Sequence, residues 1–281
     1  MRTNHIPQQN SPRTSIVKTL QDRRPFVPDD RSADEPPITV SRRTALAALG
    51  GIVGLGAAGV YAASTLATDD GDALAGDFHG ADGASAHLGV NYAGSPVLGS
   101  LDADLRLFYW TDYQCPYCKR FDVDTLPKLA KHHVATDDLA VVFLELPVFG
   151  ADSTAAAAAS KCAWRVARDD DPDAWGRWHR HVFANQGDKN DGWASERKLY
   201  EYTSDVDGIP EDDLRRCMDE RRDAVTAAVQ EDVTTAIDEL GFRRATPAFA
   251  MSNVDSGKWL GIPGAQPYET FEKVIERLKD T

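Results

Sequence analysis

The stretch TDYQCPYCKRF, residues 111–121, holds Cys115 and Cys118, two of the four cysteines of this 281-residue chain. Only Pro116 and Tyr117 separate them. A pair spaced in this way is typical of a redox centre, of one half of a metal site, or of a structural crosslink. The segments on either side of the pair, and the positions of the other two cysteines, bear on the choice among these three.

The segments that flank the cysteines predict a strand–helix–strand unit. The run LRLFYW, residues 105–110, is short, apolar and aromatic, as is typical of a buried strand. After the cysteines, apolar residues recur at close to helical spacing, with a kink expected at Pro127. The run LAVVFLEL, residues 139–146, predicts a second buried strand. This order places Cys115 where the first strand gives way to the N-terminus of the helix.

A helix N-terminus stabilises a thiolate. Unpaired backbone N–H groups and the positive end of the helix dipole favour an anion there, and such a cysteine can have its pKa lowered from about 8.5 to roughly 3.5–7.5. We therefore expect Cys115, the outer residue, to be the attacking sulfur. Cys118 lies one turn into the helix, buried and within reach to close the disulfide, while Pro116 stiffens the turn.

The remaining sequence predicts a helical block, then a hairpin and a final helix. From Ser153, a predicted N-cap, to about Leu240 the pattern is helical, and the tryptophans of this block are expected in the core. After Gly241, TPAFAMSN and GKWLG predict a hairpin with its turn at residues 255–257. An amphipathic helix, QPYETFEKVIERL, follows. The order βαβ, helices, ββα predicts an α/β thioredoxin fold with a central mixed sheet and an inserted helical domain.

Four segments in the right order resemble the DsbA-like thiol–disulfide oxidoreductases of the thioredoxin superfamily. They resemble the family's active-site signature, a helix of its insertion domain, its cis-proline loop and the entry to its C-terminal helix: DYQCPYCKRF (112–121), WHRHVFANQ (178–186), ATPAF (245–249) and GAQPYETFEKVI (264–275). The resemblance covers roughly residues 88–280. It divides this part into a first thioredoxin half at 88–150, a helical insertion at 151–240 and a second half at 241–281.

The resemblance implies roles for residues beyond the cysteine pair. Pro247 is expected to be cis and Thr246 to face the two cysteines, in a loop that presents its backbone to an extended substrate peptide. Relatives often carry a buried Glu for proton transfer six residues before the first cysteine, where this chain has Tyr109. Asp112 matches the signature but is expected to be more exposed. Glu145, on the next strand, is the candidate replacement; alternatively it points to solvent.

The other two cysteines, Cys162 and Cys217, both fall in the helical block. An even number of cysteines in an oxidising compartment favours pairing. Some members of the resembled family carry a second disulfide in this domain, so we expect a structural Cys162–Cys217 bond. The alternative is two separate buried thiols.

Residues 41–68 resemble a twin-arginine (Tat) export signal. Ser41, Arg42 and Arg43 stand before 25 uncharged residues rich in glycine and alanine. Two features depart from the usual pattern: Ala45 stands where a Phe is common, and the region before the arginines is long. The alternative is a single membrane-spanning anchor, for which about 20 apolar residues suffice.

Either reading places the folded part outside the cytoplasm, where disulfides persist. A small-x-small cleavage site ends at Ala75; an uncleaved segment at 44–67 would instead tether the protein to the outer face of the membrane. The composition of residues 1–40 indicates disorder, and residues 69–87 read as a linker rich in Gly, Ala and Asp.

The net charge of −13 argues against a nucleic-acid partner, because phosphates need Lys and Arg. The first 75 residues have eight basic and eight acidic residues, so the whole excess of acid lies in residues 76–281. Such acidity indicates a heavily hydrated surface, as in proteins of high-salt organisms. The alternative is ordinary solubility charge.

The leading hypothesis for function is an exported oxidase that donates the Cys115–Cys118 disulfide to folding proteins. A mixed disulfide would form at Cys115, and a membrane partner would reoxidise the pair by analogy with the resembled family. We expect a monomer without a cofactor or metal. An export-side reductase or isomerase remains open. A metal-binding or peptide-binding module is the alternative of another class, although a closed zinc site needs four ligands.

Overall fold

The computed structural model describes residues 78–81 and 86–280. Its strands are β1 (Phe78–Gly80), β2 (Ala86–His87), β3 (Val90–Asn91), β4 (Pro96–Leu98), β5 (Leu105–Thr111), β6 (Leu139–Glu145), β7 (Ala248–Asn253) and β8 (Trp259–Pro263). Its α-helices are α1 (Pro116–Asp124), α2 (Leu126–Leu129), α3 (Ala151–Ala167), α4 (Pro172–Ala184), α5 (Glu196–Ser204), α6 (Glu211–Glu220), α7 (Arg222–Thr234) and α8 (Tyr268–Lys279). Short π-helical turns extend α2 and α7 at Ala130–Val134 and Thr235–Glu239.

Six of these strands form one mixed sheet in the order β1-β4-β6-β5-β7-β8. The central strands β5 and β6 run parallel, with Thr111 opposite Glu145 at the end of the pairing. The predicted hairpin, β7 and β8, continues the sheet antiparallel to β5. This topology confirms the predicted thioredoxin-type fold with a helical insertion between its two halves.

The central strands read as continuous apolar runs because both faces of the sheet are covered. Alternate side chains of a strand point to opposite faces. On one face, Leu107 and Tyr109 of β5 belong to the core shared with α1, α3, α4 and α8. On the other face, Phe108 and Trp110 pack in a smaller core that includes Val233 of α7.

The segment expected to be a linker, residues 69–87, contains strand β1, so the sheet begins earlier than predicted. Phe78 supplies the reason, because its ring lies 5.3 Å from that of Trp175 in α4. Gly176 makes this approach possible: a Cβ there would stand 2.5 Å from Cε2 of Phe78. The backbone N–H of Phe78 also donates to Asp173 at 3.2 Å. One aromatic anchor therefore binds the strand to the helical insertion.

The helix after the cysteines is broken near Pro127, as predicted. α1 ends at Asp124 and α2 begins at Leu126, with Thr125 as the residue between them. Proline has no backbone N–H and cannot donate within a continuous helix. The break lets α2 turn towards α8, where His133 of the following π-helical turn lies 3.1 Å from the hydroxyl of Tyr268.

The helical insertion is packed around tryptophan side chains, as expected. The buried tryptophans of this block are Trp164, Trp175, Trp178 and Trp193. Cys162 of α3 and Cys217 of α6 are joined by a disulfide, with their Cα atoms 5.7 Å apart. α3 begins at Ala151, two residues before the predicted cap, because Gly150 adopts φ +98°, a conformation that favours glycine.

The predictions for the N-terminal region lie outside the described residues. They concern the disordered region at 1–40, the export signal or anchor at 41–68, and the cleavage site after Ala75. Among the described residues, no helix is both long enough and apolar enough to cross a membrane.

Candidate functional site

Cys115 lies at the N-cap of α1, where a short turn leads from β5 into the helix. Its backbone is extended, and Pro116 takes the first helical position, where a missing N–H costs no helical hydrogen bond. The backbone N–H groups of Cys118 and Lys119 donate to the Cys115 carbonyl at 3.1 and 3.2 Å. The structure therefore places the first cysteine at the predicted junction of strand and helix.

Both cysteines are thiols in this structure, and both are buried. Cys115, expected to be the outer residue, is only 1% exposed because the loop before β7 covers it. Its thiol donates to the carbonyl oxygen of Thr246 at 3.2 Å. The Thr246–Pro247 peptide bond is cis, and the structure thus brings this loop against the cysteines. Pro116 and Tyr117 are exposed beside them.

The two thiols differ in acidity. A hydrogen bond with Cys118 lowers the pKa of Cys115 from 9.0 to about 6, with further help from the backbone N–H groups of Cys118 and Tyr117 against the opposing effect of burial. Burial raises the pKa of Cys118 well above its usual value, and the adjacent Cys115 sulfur raises it further. Cys115 is therefore the sulfur that carries negative charge near neutral pH.

Asp112, expected to be more exposed than the buried Glu of relatives, is itself buried, with 2% of its surface exposed. Its Oδ1 accepts hydrogen bonds from the Gln114 backbone N–H at 2.8 Å and from the Ser153 hydroxyl at 2.7 Å. Its Oδ2 accepts from the backbone N–H of Val148 at 2.6 Å. These donors hold the carboxylate inside, where burial raises its pKa. Ser153 consequently bonds this carboxylate and is not the N-cap of α3.

Glu145 is buried too, so the alternative that it points to solvent was wrong. Desolvation raises its pKa to about 8, and the repulsion from Asp232 adds to the effect, although Lys161 and a hydrogen bond from Ser160 oppose it. Lys161 forms an ion pair with Asp232 at 2.6 Å, and Asp232 accepts from the Glu145 backbone N–H at 2.8 Å. Oε2 of Glu145 has no hydrogen-bond partner among the described residues.

Sequence reasoning missed a buried pair, Asp122 and His179. Oδ1 of Asp122 lies 2.8 Å from Nε2 of His179, and Oδ2 accepts from the hydroxyl of Tyr109 at 2.6 Å. The sequence contained a signal for Asp122, since it follows Cys118 by four residues and so shares its face of the helix. His179 lies in the WHRHVFANQ segment, but its partner Asp122 stands 57 positions away in the chain, so the sequence did not indicate the pairing.

Two glutamine side chains fix the turn that carries the cysteines. The amide of Gln186 donates to the carbonyl oxygens of Tyr113 and Cys115 at 2.6 and 3.1 Å. Gln114 accepts from the backbone N–H of Asn190 at 2.6 Å. Gln186 and Asn190 both lie in the loop between α4 and α5, inside the helical insertion, and therefore the insertion helps to hold the cysteine turn in place.

The described residues contain no group of three or more His, Cys, Asp or Glu side chains arranged to hold a metal ion. Cys162 and Cys217 are bonded to each other, which leaves the cysteine pair at 115 and 118 without further thiol ligands in the described part of the chain.

Comparison with known proteins finds similarity over most of the described residues. The family model described as thioredoxin matches residues 92–277. The chain is 28% identical over 184 residues to disulfide bond formation protein D of Bacillus subtilis, which covers 66% of this chain and 77% of the relative.

Solved structures agree in fold. Oxidised BdbD from Bacillus subtilis superposes with a TM-score of 0.57 and 26% identity, over 67% of this chain and 94% of that one. DsbA of Chlamydia trachomatis, at 19% identity, has a TM-score of 0.55 over 66% of this chain and 91% of that one. The second similarity concerns the fold alone.

Proposed function

This chain belongs to the thioredoxin family, and on that premise we propose that it is an exported thiol–disulfide oxidoreductase whose working group is the pair Cys115 and Cys118. The observation that carries the proposal is the unequal acidity of two adjacent thiols at the start of α1. One has a pKa near 6, and the other is buried with a raised pKa. The similarity to a disulfide bond formation protein supports the same activity.

The chemistry follows thiol–disulfide exchange. With the pair oxidised, a substrate thiolate attacks Sγ of Cys115, the Cys115–Cys118 bond breaks, and a mixed disulfide forms at Cys115. A second substrate thiolate then attacks the substrate sulfur of that mixed disulfide and expels the Cys115 thiolate. Two electrons pass to the protein, and the substrate gains a disulfide. A leaving thiol of low pKa departs faster, so the lowered pKa of Cys115 favours donation.

The loop at Thr246 and Pro247 is the proposed contact for the substrate chain. The Thr246 carbonyl already accepts a hydrogen bond from the Cys115 thiol, so backbone at this position lies within reach of the reacting sulfur. A peptide bound there in extended form would displace this contact and bring its own cysteine to Cys115. Pro116 and Tyr117, exposed on the other side, would border the bound chain.

The proposed place of action is outside the cytoplasm, on reduced proteins after export. The twin-arginine segment with Ser41, Arg42 and Arg43 supports this, whether it is removed after Ala75 or kept as a tether. A partner in the membrane would reoxidise the pair. We assign the Cys162–Cys217 bond a structural role, because it lies in the insertion away from α1.

The test is the reduction potential of the full chain, equilibrated against glutathione at high salt. A value near about −120 mV, as for a strong oxidase, would support donation of disulfides to clients. A value near about −270 mV, as for thioredoxin, would instead make the protein an export-side reductase. If the pair at 115 and 118 showed no reversible exchange, the oxidoreductase proposal would fail and a metal-binding or peptide-binding module would take its place.

A further inference from the structure

The last two turns of α3 carry a stripe of basic residues. In the sequence KCAWRVAR, residues 161–168, spacings of three and four place four side chains on one face of the helix: Lys161, Trp164, Arg165 and Arg168. This face borders a cavity of about 420 Å³ that is also lined by α7 and by the loop between β3 and β4. Arg221, at the junction of α6 and α7, lines the same cavity. Four cations therefore border one cavity in a chain whose net charge is −13.

The acidic residues of this cavity already have partners. Asp232 forms an ion pair with Lys161 at 2.6 Å, so these two charges neutralise each other. Glu231 accepts a hydrogen bond from the side-chain amide of Asn91 at 2.9 Å. No ion pair joins either carboxylate to an arginine of the cavity, although all of these residues are described.

The three arginines of the cavity lack such compensation. In the described part of the chain, Arg165 and Arg221 form no ion pair with a carboxylate, and Arg168 reaches only its neighbour Asp169, at 3.6 Å. Partial burial lowers the pKa of Arg165, and repulsion from Arg221 and Arg168 lowers it further. Elsewhere on the insertion, exposed arginines do form ion pairs with carboxylates: Arg197, Arg215, Arg216 and Arg222.

Hydrogen-bond donors without partners belong to the same cavity. Trp164 is only 1% exposed, and its indole Nε1 has no hydrogen-bond partner among the residues described. The indole groups of Trp175 and Trp178, in contrast, donate within the insertion. Nε of Arg168 is also buried without a hydrogen bond. An indole N–H and a guanidinium group can only donate, so these groups require an acceptor, and their charge favours an anionic one.

Helix ends explain a part of this arrangement. The negative end of a helix dipole attracts cations, and Arg168 and Arg221 stand at the C-terminal ends of α3 and α6. That attraction holds a cation at each end separately. It does not require the two ends to meet at one cavity, where their charges repel each other and Arg165. An anion between them would remove this repulsion.

We propose that this cavity is a binding site for an oxyanion, held by Arg165, Arg168 and Arg221 and by the N–H group of Trp164. Guanidinium groups match the oxygens of phosphate, sulfate and carboxylate groups with two parallel hydrogen bonds. The indole N–H adds a donor from the buried side of the cavity. The proposal goes beyond disulfide exchange and does not depend on it.

The size of the cavity bears on the class of ligand. Its volume of about 420 Å³ falls in the range of about 300–1,000 Å³ that is usual for small-molecule sites. A small molecule that carries an oxyanion group therefore fits the space better than a bare ion does. Val225 and Ala228 of α7 supply apolar surface for the rest of such a molecule.

An occupied site would join α3 to the α6–α7 junction. Arg165 and Arg221 also line a neighbouring cavity that Cys217 borders, so the site lies close to the disulfide between α3 and α6. A ligand that binds only the folded chain stabilises it by mass action. We therefore expect the oxyanion to raise the unfolding midpoint of the protein in proportion to the logarithm of its concentration.

The experiment follows the indole N–H signals of the full chain by NMR while sodium phosphate replaces sodium chloride at constant ionic strength and pH 7. The variant Trp164→Phe identifies the signal of Trp164 by its disappearance. This signal should move and reach saturation, because its N–H gains an acceptor. The signal of Trp178 should stay in place, since its N–H already donates to Thr203 at 2.8 Å.

Two double variants with the same loss of charge separate the site from general electrostatics. Arg165→Gln with Arg221→Gln should weaken phosphate binding by about tenfold or more, because two charged donors are lost. Both arginines are exposed, so the fold should persist, and the urea midpoint without phosphate checks this. Arg197→Gln with Arg215→Gln removes arginines that already form ion pairs, and this control should keep the wild-type affinity.

Succinate in place of phosphate distinguishes the sources of the oxyanion. Saturable binding of either compound at Trp164 supports the site, and the tighter of the two identifies the preferred group. Three outcomes would overturn the proposal: no saturable movement of the Trp164 signal with either compound, the same movement with sodium chloride alone, or unchanged affinity in the Arg165 and Arg221 double variant. None of these measurements involves Cys115 or Cys118, so failure here would leave the proposed disulfide exchange untouched.

Discussion

The two cysteine pairs of this molecule differ in nearly every physical respect. Cys115 and Cys118 are two residues of one helix turn, present as thiols with strongly unequal acidity. Cys162 and Cys217 lie 55 residues apart, and their bond joins α3 to α6 inside the apolar insertion. The Cys115 thiol is hydrogen-bonded to the Thr246 carbonyl at a helix N-terminus, whereas Cys162 is fully buried and Cys217 borders a cavity lined by charged side chains such as Arg165 and Arg221.

The comparison shows that the surroundings, more than the sulfur chemistry, decide what a cysteine pair can do. A low-pKa thiol beside a buried one is prepared to open and close a disulfide. A pair that closes a long loop stabilises the fold by restricting the unfolded chain. Changes at one pair should therefore affect exchange, and changes at the other should affect stability.

The largest expected effect is the loss of exchange in Cys115→Ser. A hydroxyl cannot form the mixed disulfide, so oxidation of a reduced, unfolded client protein should fall to the uncatalysed background. The measurement is the decrease of free client thiols with time. The Cys162–Cys217 bond should remain intact, as counted by mass after alkylation. Client oxidation above background in Cys115→Ser would show that disulfide exchange does not depend on Cys115.

Next comes the stability of the insertion. The double change Cys162→Ala and Cys217→Ala should lower the free energy of unfolding by about 4 kcal/mol in the chain-entropy model of a 55-residue loop. Urea titration in an oxidising buffer provides the value, with the wild-type chain as the reference. The folded variant should still exchange disulfides through Cys115. A folded variant without exchange would contradict a purely structural role.

A smaller effect concerns pH and Glu145. Its pKa is raised from 4.5 to about 8, so the folded state favours the protonated form, and this stabilisation is present in full below about pH 4.5 and lost as the pH rises through 8. The slope is at most about 1.4 kcal/mol per pH unit. Glu145→Gln should flatten the decline in unfolding free energy between these values.

The control for that experiment is Glu276→Gln, an exposed residue of α8 that should leave the slope unchanged. Asp112 and Asp232 also have raised pKa values, so part of the decline should survive in Glu145→Gln. An identical slope in wild type and Glu145→Gln would show that the carboxyl is already charged in the folded protein.

The smallest expected effect is a change in the pKa of Cys115 when Cys118 is replaced. Cys118→Ala removes the hydrogen bond that does most to lower the pKa of Cys115, so this pKa should rise from about 6 towards 9. Cys118→Ser keeps a donor and should raise it less. The pH dependence of alkylation by iodoacetamide measures both. Equal pKa values in the two variants would assign the acidity to the helix N-terminus rather than to the second sulfur.

Several elements could be predicted because their signals are local. The apolar runs at 105–110 and 139–146 predicted β5 and β6, Pro127 predicted the break between α1 and α2, and the turn at 255–257 predicted the β7–β8 hairpin. In each case neighbouring residues carry the whole signal: side-chain period, a missing backbone donor, or turn-forming residues.

The failures have a common cause, which is contact between distant segments. Asp112 was expected to be more exposed than the buried Glu of relatives, yet donors from residues 148 and 153 enclose it. Residues 69–87 lack periodicity and so predict a linker, but β1 lies among them because Phe78 packs on a distant residue, Trp175 of α4. The Asp122–His179 pair joins α1 to the insertion. Neither segment alone predicts it, because the two partners lie 57 residues apart in the chain.

The sequence by itself determined the order of elements from β5 onwards, the spacing of Cys115 and Cys118 and the helix N-terminus at which Cys115 lies, because these depend on residues close together in the chain. Tertiary structure alone decided which acids are buried, in which direction their pKa values move, and which side chains donate hydrogen bonds to them. Those properties arise from desolvation and from hydrogen bonds between segments far apart in the chain, so they exist only once the sheet and the insertion have packed together.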